Sequence, residues 1–332
     1  MTTTLAVRDL TVRFRTGQSV VHAVNGVGFS VDRGQTIAIV GESGSGKSVT
    51  CLSVLGLLPS NAEVSGSVRL EGRELLTLRE AEARKVRGKD IGLVYQDPMA
   101  ALNPVRTIGA QVCEPLRLHL GMSRSASRKR AAELLATVGI PSPDRQLRSY
   151  PHEFSGGMRQ RVVIAMAIAC EPKVLLADEP TTALDVSIQA QILELLKSLT
   201  TELKLSLVLV SHDMSVVAGL ADEVLVMYAG FVAEQGEALQ VFEHPAHPYT
   251  RGLLNSIPDA APDPDAALLG IPGQPPDMRT VPAGCPFRPR CPHAFDKCTQ
   301  RPPLDALAGD HAAACWLGGE VDRGERTQRG TA

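Results

Sequence analysis

Residues 36–48 read Thr-Ile-Ala-Ile-Val-Gly-Glu-Ser-Gly-Ser-Gly-Lys-Ser. The run 36–40 is continuously apolar after its threonine, as expected of a strand buried on both faces, and it stops at Gly41. From Gly41 to Ser48 the spacing is that of a phosphate-binding loop set between a strand and a helix. Glycines allow successive backbone N–H groups to turn into a concave anion nest at a helix N-terminus. Lys47 supplies a charge for β- and γ-phosphates, and the Ser48 hydroxyl suits Mg²⁺.

Working outward, residues 5–14 and 64–71 predict half-buried strands from their partial alternation, and 174–177 and 207–210 predict buried ones. Helical patterns follow over 47–58, 158–170, 187–204 and 214–220. Strand, phosphate loop, helix and further buried strands give an α/β fold with a parallel central sheet. Between Gln96 and Ser155 the signals turn helical, around 106–119 and 124–138, which predicts an inserted helical subdomain over 97–160. The basic run Arg124–Arg130 reads as the solvated start of a helix.

The 332 residues are 44% hydrophobic and 21% charged with a net charge of −2, ordinary for a globular chain, and no basic excess points to nucleic acid. The N-terminal residues lack the pattern of a secretory signal. The longest apolar run ends at Glu171 and is far shorter than the roughly 20 residues that span a bilayer. After residue 240 prolines crowd the sequence, so an irregular extension is expected over 241–317 and a disordered tail over 318–332.

Val174–Pro180 (Val-Leu-Leu-Ala-Asp-Glu-Pro) supplies the acidic half of a nucleotide site. Asp178 ends a buried strand, where a carboxylate can hold Mg²⁺, and Glu179 follows as a candidate general base. His212 follows the next apolar strand. The ordered set GESGSGKS, YQDP, FSGGMRQR, VLLADEP, TALD and SHD resembles the ATP-binding subunit of an ABC transporter, over about residues 5–240.

The resemblance implies a P-loop ABC ATPase domain over 1–240, with an antiparallel β-subdomain beside the parallel sheet and helical subdomain. It implies that Gly41, Ser43, Gly44, Ser45, Gly46, Lys47, Ser48 and Val49 cradle ATP, with Phe14 against adenine. Ser48, Gln96 and Asp178 would hold Mg²⁺. Lys47, Glu179 and His212 would form the catalytic set, His212 sensing the γ-phosphate. Ser155, Gly156, Gly157 and Asp185 would serve ATP bound by a partner subunit, so the chain must work in pairs. Phe154 and Met158 depart from the commonest signature, but the Ser-Gly-Gly centre is intact.

The stretches HPYTRGLLNSIP (247–258), IPGQPP (271–276) and GCPFRPRC (284–291) are similar to the C-terminal extension of bacterial dipeptide and oligopeptide importer ATPases, with nickel importers close by. That family implies a paralogous ATPase partner in a heterodimer, two transmembrane permease subunits and an extracytoplasmic peptide-binding protein. It also implies a peripheral place on the cytoplasmic face of the inner membrane. Cys285, Cys291, Cys298 and Cys315 are spaced x5, x6 and x16, and four thiolates suit either zinc or an iron–sulfur cluster. Tight Cys-x2-Cys knuckles are lacking, and the family favours a 4Fe–4S cluster over zinc or no metal. His293 and His311 are possible substitute ligands. Cys51, Cys113 and Cys170 read as small buried hydrophobes. A soluble ABC ATPase acting on nucleic acid or ribosomes would be expected to carry tandem domains or a long coiled coil, and this sequence has neither; a non-catalytic regulatory subunit would not need Lys47, Asp178, Glu179 and His212.

Overall fold

The computed structural model describes residues 3–17, 19–182, 184–257 and 270–318. The elements begin with β1 (Thr3–Thr16), β2 (Ser19–Asp32), β3 (Thr36–Val40), α1 (Lys47–Val54), β4 (Ala62–Leu70), β5 (Arg73–Glu74), α2 (Glu80–Val86) and β6 (Ile91–Val94). Helices α3 (Pro98–Ala101), α4 (Ile108–Leu120), α5 (Arg124–Thr137), α6 (Pro143–Gln146) and α7 (Gly156–Ala167) follow. Then come β7 (Val174–Asp178), α8 (Val186–Leu203), β8 (Ser206–Ser211), α9 (Met214–Ala218), β9 (Glu223–Tyr228) and β10 (Phe231–Glu237). The last are α10 (Ala238–Glu243), α11 (Pro248–Asn255), β11 (Asp305–Ala308) and β12 (His311–Ala313). The chain divides into two compact units, one built on residues 69–210, the other on 7–29, 37–68 and 211 onward.

In the first unit β6, β7 and β8 pair in parallel, Ile91 opposite Val174 and Val174 opposite Ser206. Every residue of β7 and β8 is buried, which explains their unbroken apolar sequence. The span between β6 and β7 is helical, as predicted. Its helices start where short polar side chains can accept a backbone N–H. Thr107 caps α4 by accepting from Ala110, and Ser123 caps α5 by accepting from Ala126. The basic run Arg124–Arg130 is the first half of α5 and is mostly exposed, the solvated helix start that was expected.

In the second unit β3 pairs in parallel with β9, and β9 turns back into an antiparallel β10. Strands β2, β1 and β4 neighbour one another in that order. Along β1 the buried apolar residues are Leu5 and Val7, then Leu10 and Val12. Asp9 lies between them at φ 50°, and this left-handed residue shifts the alternation by one, so the sequence pattern is only partly periodic.

The C-terminal extension departs from expectation. It is irregular over much of its described length, but α11 is a regular helix and β12 adds to β10, Ala313 opposite Glu234. Strand β11 pairs outside β12. Tyr249 and Phe287 of the extension are buried with Val40, Val226 and Tyr228 of the cassette in one apolar cluster. Their rings meet Tyr228 with centroids 4.6 and 5.3 Å away. Aromatic pairs in this range add about 0.5–1.5 kcal/mol each beyond area burial, so the extension is packed into the unit rather than trailing from it. The predicted tail after Gly318 lies outside the described residues. Of the isolated cysteines, Cys51 is buried as expected, whereas Cys113 and Cys170 are only half-buried.

Candidate nucleotide site

The buried β3 delivers Gly41 to the loop, and α1 starts at Lys47. Gly46, the N-cap, is left-handed at φ 102°, and a Cβ there would run into the Ala23 carbonyl. Only glycine fits this turn. With glycine at the N-cap no cap side chain covers the start of α1, the kind of helix N-terminus that receives an anion. Lys47 is 4% exposed, and its Nζ donates to the carbonyls of Gly41 (2.7 Å) and Glu42 (3.0 Å), curling the loop around the ammonium. The Ser45 hydroxyl is buried with no hydrogen-bond partner among the described residues. Ser43 and Gly44 are exposed, while Ser48 and Val49 are half-buried in the first turn of α1. Phe14 is half-buried near the end of β1, and His212 is exposed just after β8.

Two residues that the sequence did not single out reach the loop from the extension. The Tyr249 hydroxyl accepts the Glu42 backbone N–H at 2.8 Å. Arg290 grips the Glu42 carboxylate with both arms, Nη1 to Oε2 at 2.8 Å and Nη2 to Oε1 at 3.1 Å. Burial opposes the Arg290 charge, but the hydrogen bonds to Glu42 and Tyr228 outweigh it and raise its pKa. Burial likewise raises the Tyr249 phenol, which stays neutral.

In the first unit, β7 ends at Asp178, which is 8% exposed. Glu179 follows at φ 45°, a left-handed conformation that a non-glycine residue holds only when its surroundings impose it. Its N–H donates to the Val210 carbonyl at 3.0 Å. Its Oε2 accepts from Gln96 Nε2 (3.1 Å) and Thr182 Oγ1 (2.9 Å). The structure thus brings Gln96 and Glu179 together. Ser155 caps α7 by accepting the Met158 N–H, and Asp185 caps α8 by accepting the Ile188 N–H. A Cβ on Gly157 would lie 2.6 Å from Ile188 Cγ2, so the second glycine of the turn lets α7 pack on the start of α8. Ser155, Gly156 and Asp185 are exposed.

Cys285, Cys291, Cys298 and Cys315 all line one small, apolar cavity of about 10 Å³, together with His293. Burial raises the Cys285 and Cys291 thiols and pushes Cys315 to about 11. Four converging thiols match the donor chemistry of a thiophilic metal centre. Among the described residues, however, no three His, Cys, Asp or Glu side chains stand ready to hold a metal ion. His311, a possible substitute ligand from the sequence, pairs instead with the buried Glu234 at 2.7 Å. Across the described residues no helix is long and apolar enough to cross a membrane.

The family profile for ABC transporters matches residues 24–182, and that for the oligopeptide/dipeptide transporter C-terminal region matches 233–298. The oligopeptide transport ATP-binding protein OppD of Salmonella typhimurium is 48% identical over 312 residues, 94% of this chain and 93% of that protein. The dipeptide transport ATP-binding protein DppD of Bacillus subtilis is 50% identical over 316 residues, 94% of each chain. Among solved structures, the dimeric ATP-binding cassette MJ0796 in a post-hydrolysis state with ADP and phosphate aligns with a TM-score of 0.63 at 30% identity, covering 70% of this chain and 98% of that one. With this coverage and identity joined to a formed phosphate loop, the chain belongs to the ABC transporter family, in the branch of ATP-binding subunits that carry the oligopeptide/dipeptide transporter C-terminal region.

Proposed function

We propose that this subunit hydrolyses ATP with Mg²⁺ to power uptake of dipeptides or oligopeptides through a membrane importer. The observation that carries the reading is Glu179, whose strained backbone follows a buried strand and whose carboxylate is oriented by Gln96 and Thr182. In this reading Glu179 takes a proton from the attacking water. Gly41 to Val49 hold the phosphates through backbone N–H groups and Lys47, and Phe14 packs on the adenine. His212 senses the γ-phosphate. Ser48, Gln96 and Asp178 would hold Mg²⁺, which would supply positive charge to the phosphates. Ser155, Gly156, Gly157 and Asp185 meet a nucleotide held by a second ATPase subunit, a paralogue in our reading. The exposure of Ser155, Gly156 and Asp185 and the dimeric state of the MJ0796 cassette support this. The remaining partners are two permease subunits and an extracytoplasmic peptide-binding protein, which places the chain on the cytoplasmic face of the inner membrane. Names of relatives such as OppD and DppD support the peptide cargo.

The domain limits follow the same reading: a cassette over 1–240 containing a helical subdomain over 97–160, then the extension. Cys285, Cys291, Cys298 and Cys315 would hold a 4Fe–4S cluster of structural role, with zinc as the alternative; the convergence of four thiols supports the reading. Anaerobic purification with iron and sulfide analysis decides this, and colourless protein with stoichiometric zinc overturns the cluster. The transport reading is tested on the assembled transporter in proteoliposomes. Binding protein loaded with a di- or oligopeptide should raise ATP hydrolysis, and stimulation by Ni²⁺ without peptide would overturn the cargo class.

A further inference from the structure

The phosphate loop is held from outside itself. Glu42, its second residue, has its N–H, its carbonyl and both carboxylate oxygens engaged at once: by Tyr249, by Lys47, and by the two arms of Arg290. Arg290 is itself immobilised. Besides Glu42 it donates Nε to the Pro272 carbonyl (2.8 Å), Nη2 to the Ile271 carbonyl (3.2 Å) and Nη1 to the Tyr228 hydroxyl (3.2 Å). A guanidinium has five N–H groups, and these bonds occupy all five. The residue is 8% exposed, and Tyr249 is fully buried. A surface ion pair that merely pinned the extension down would need neither feature, nor a hydrogen bond to the loop backbone.

We infer that Arg290 and Tyr249 are positioning residues for the nucleotide: the extension fixes Glu42, and through it the curvature of the nest that receives the phosphates. The inference rests on the ATP-binding reading above. It gives the extension a direct part in nucleotide affinity, apart from any metal at its cysteines. Lysine cannot replace Arg290, since its ammonium has three donors and no planar fork for a carboxylate.

The test uses the full-length subunit and Mg²⁺–AMP-PNP, with affinity read by calorimetry and stability by thermal unfolding. Arg290→Lys and Tyr249→Phe should each raise Kd about tenfold, the size expected when one buried hydrogen-bonding partner is lost. Glu42→Gln should do the same, and Glu42→Gln with Arg290→Lys should be no weaker than the worse single variant, since both act through one contact. Unchanged Kd in Arg290→Lys and Tyr249→Phe, whatever their thermal stability, overturns the inference. So do additive losses in the double variant, which would mean that Arg290 acts elsewhere. Failure of the wild-type subunit to bind Mg²⁺–AMP-PNP would instead overturn the parent reading.

Discussion

Two glutamates lie just beyond buried strands, and the protein treats them in opposite ways. Glu42, past β3, is gripped by a buried guanidinium that occupies both of its oxygens. Glu179, past β7, takes hydrogen bonds from two neutral donors that converge on one oxygen. A bidentate ion pair in a buried site is costly to break, because it leaves an uncompensated charge on either side. That suits a residue whose task is to keep a loop in one shape. In the proposed mechanism Glu179 accepts and returns a proton in each cycle, and Gln96 and Thr182 orient it for that task. Glu179 also sits in the left-handed region, where its N–H bond to the Val210 carbonyl helps to hold it. The grip on both oxygens of Glu42 suits a scaffold, and the donors that converge on Oε2 of Glu179 suit the proton acceptor of the proposed mechanism.

The largest effect should fall on the chemical side. Glu179→Gln keeps the shape and loses the proton acceptor, so turnover by the assembled transporter should drop about 10²–10⁴-fold. Nucleotide binding should persist. Near-normal turnover would remove the basis for setting the two glutamates apart. On the other side, Glu42→Gln should act mainly on KM, by about tenfold, with a smaller loss of kcat. A kcat collapse like that of Glu179→Gln would place Glu42 in the chemistry and break the comparison.

Acid should also reach the Glu42 side. His247 is buried and its Nδ1 accepts the Tyr249 N–H at 3.0 Å. Burial lowers its pKa to about 4 although the nearby Glu234 carboxylate pulls the other way. The unfolded chain therefore binds a proton below the ordinary value near 6.5 that the folded chain refuses. Stability is full above pH 6.5 and falls as pH drops toward 4, by at most about 1.4 kcal/mol per unit. The single tryptophan, Trp316, lies in the extension and reports this by fluorescence in urea titrations at pH 7 and 5. His247→Gln should flatten the dependence, and an unaltered slope would show that another group carries it.

How much of this could be read in the sequence follows from range. The phosphate loop and the Val174–Asp178 strand were legible because a buried parallel strand and a glycine turn are written in consecutive residues. The Glu42 clamp was not: Tyr249 lies 207 and Arg290 248 positions away, and neither sits in a periodic pattern. Strands β11 and β12 were missed because they are four and three residues long and rich in alanine, a poor strand former. They form because β10 offers an edge to pair with. The cysteine spacing gave the convergence of four thiols on one cavity but no ligand geometry.

The smallest expected effect tests whether the neutral donors matter individually. Thr182 and Gln96 share Glu179 Oε2, so removing one leaves the other in place. Thr182→Val preserves size and branching but withdraws the hydroxyl. A single hydrogen bond of this kind contributes about 1 kcal/mol net, or roughly a fivefold loss of kcat, with KM held because the nucleotide nest is untouched. Thr182→Ser keeps the donor and should restore most of the rate. If valine and serine behave alike, the hydroxyl does not orient Glu179. The contrast with Glu42 would then rest on Gln96 and the strained backbone alone.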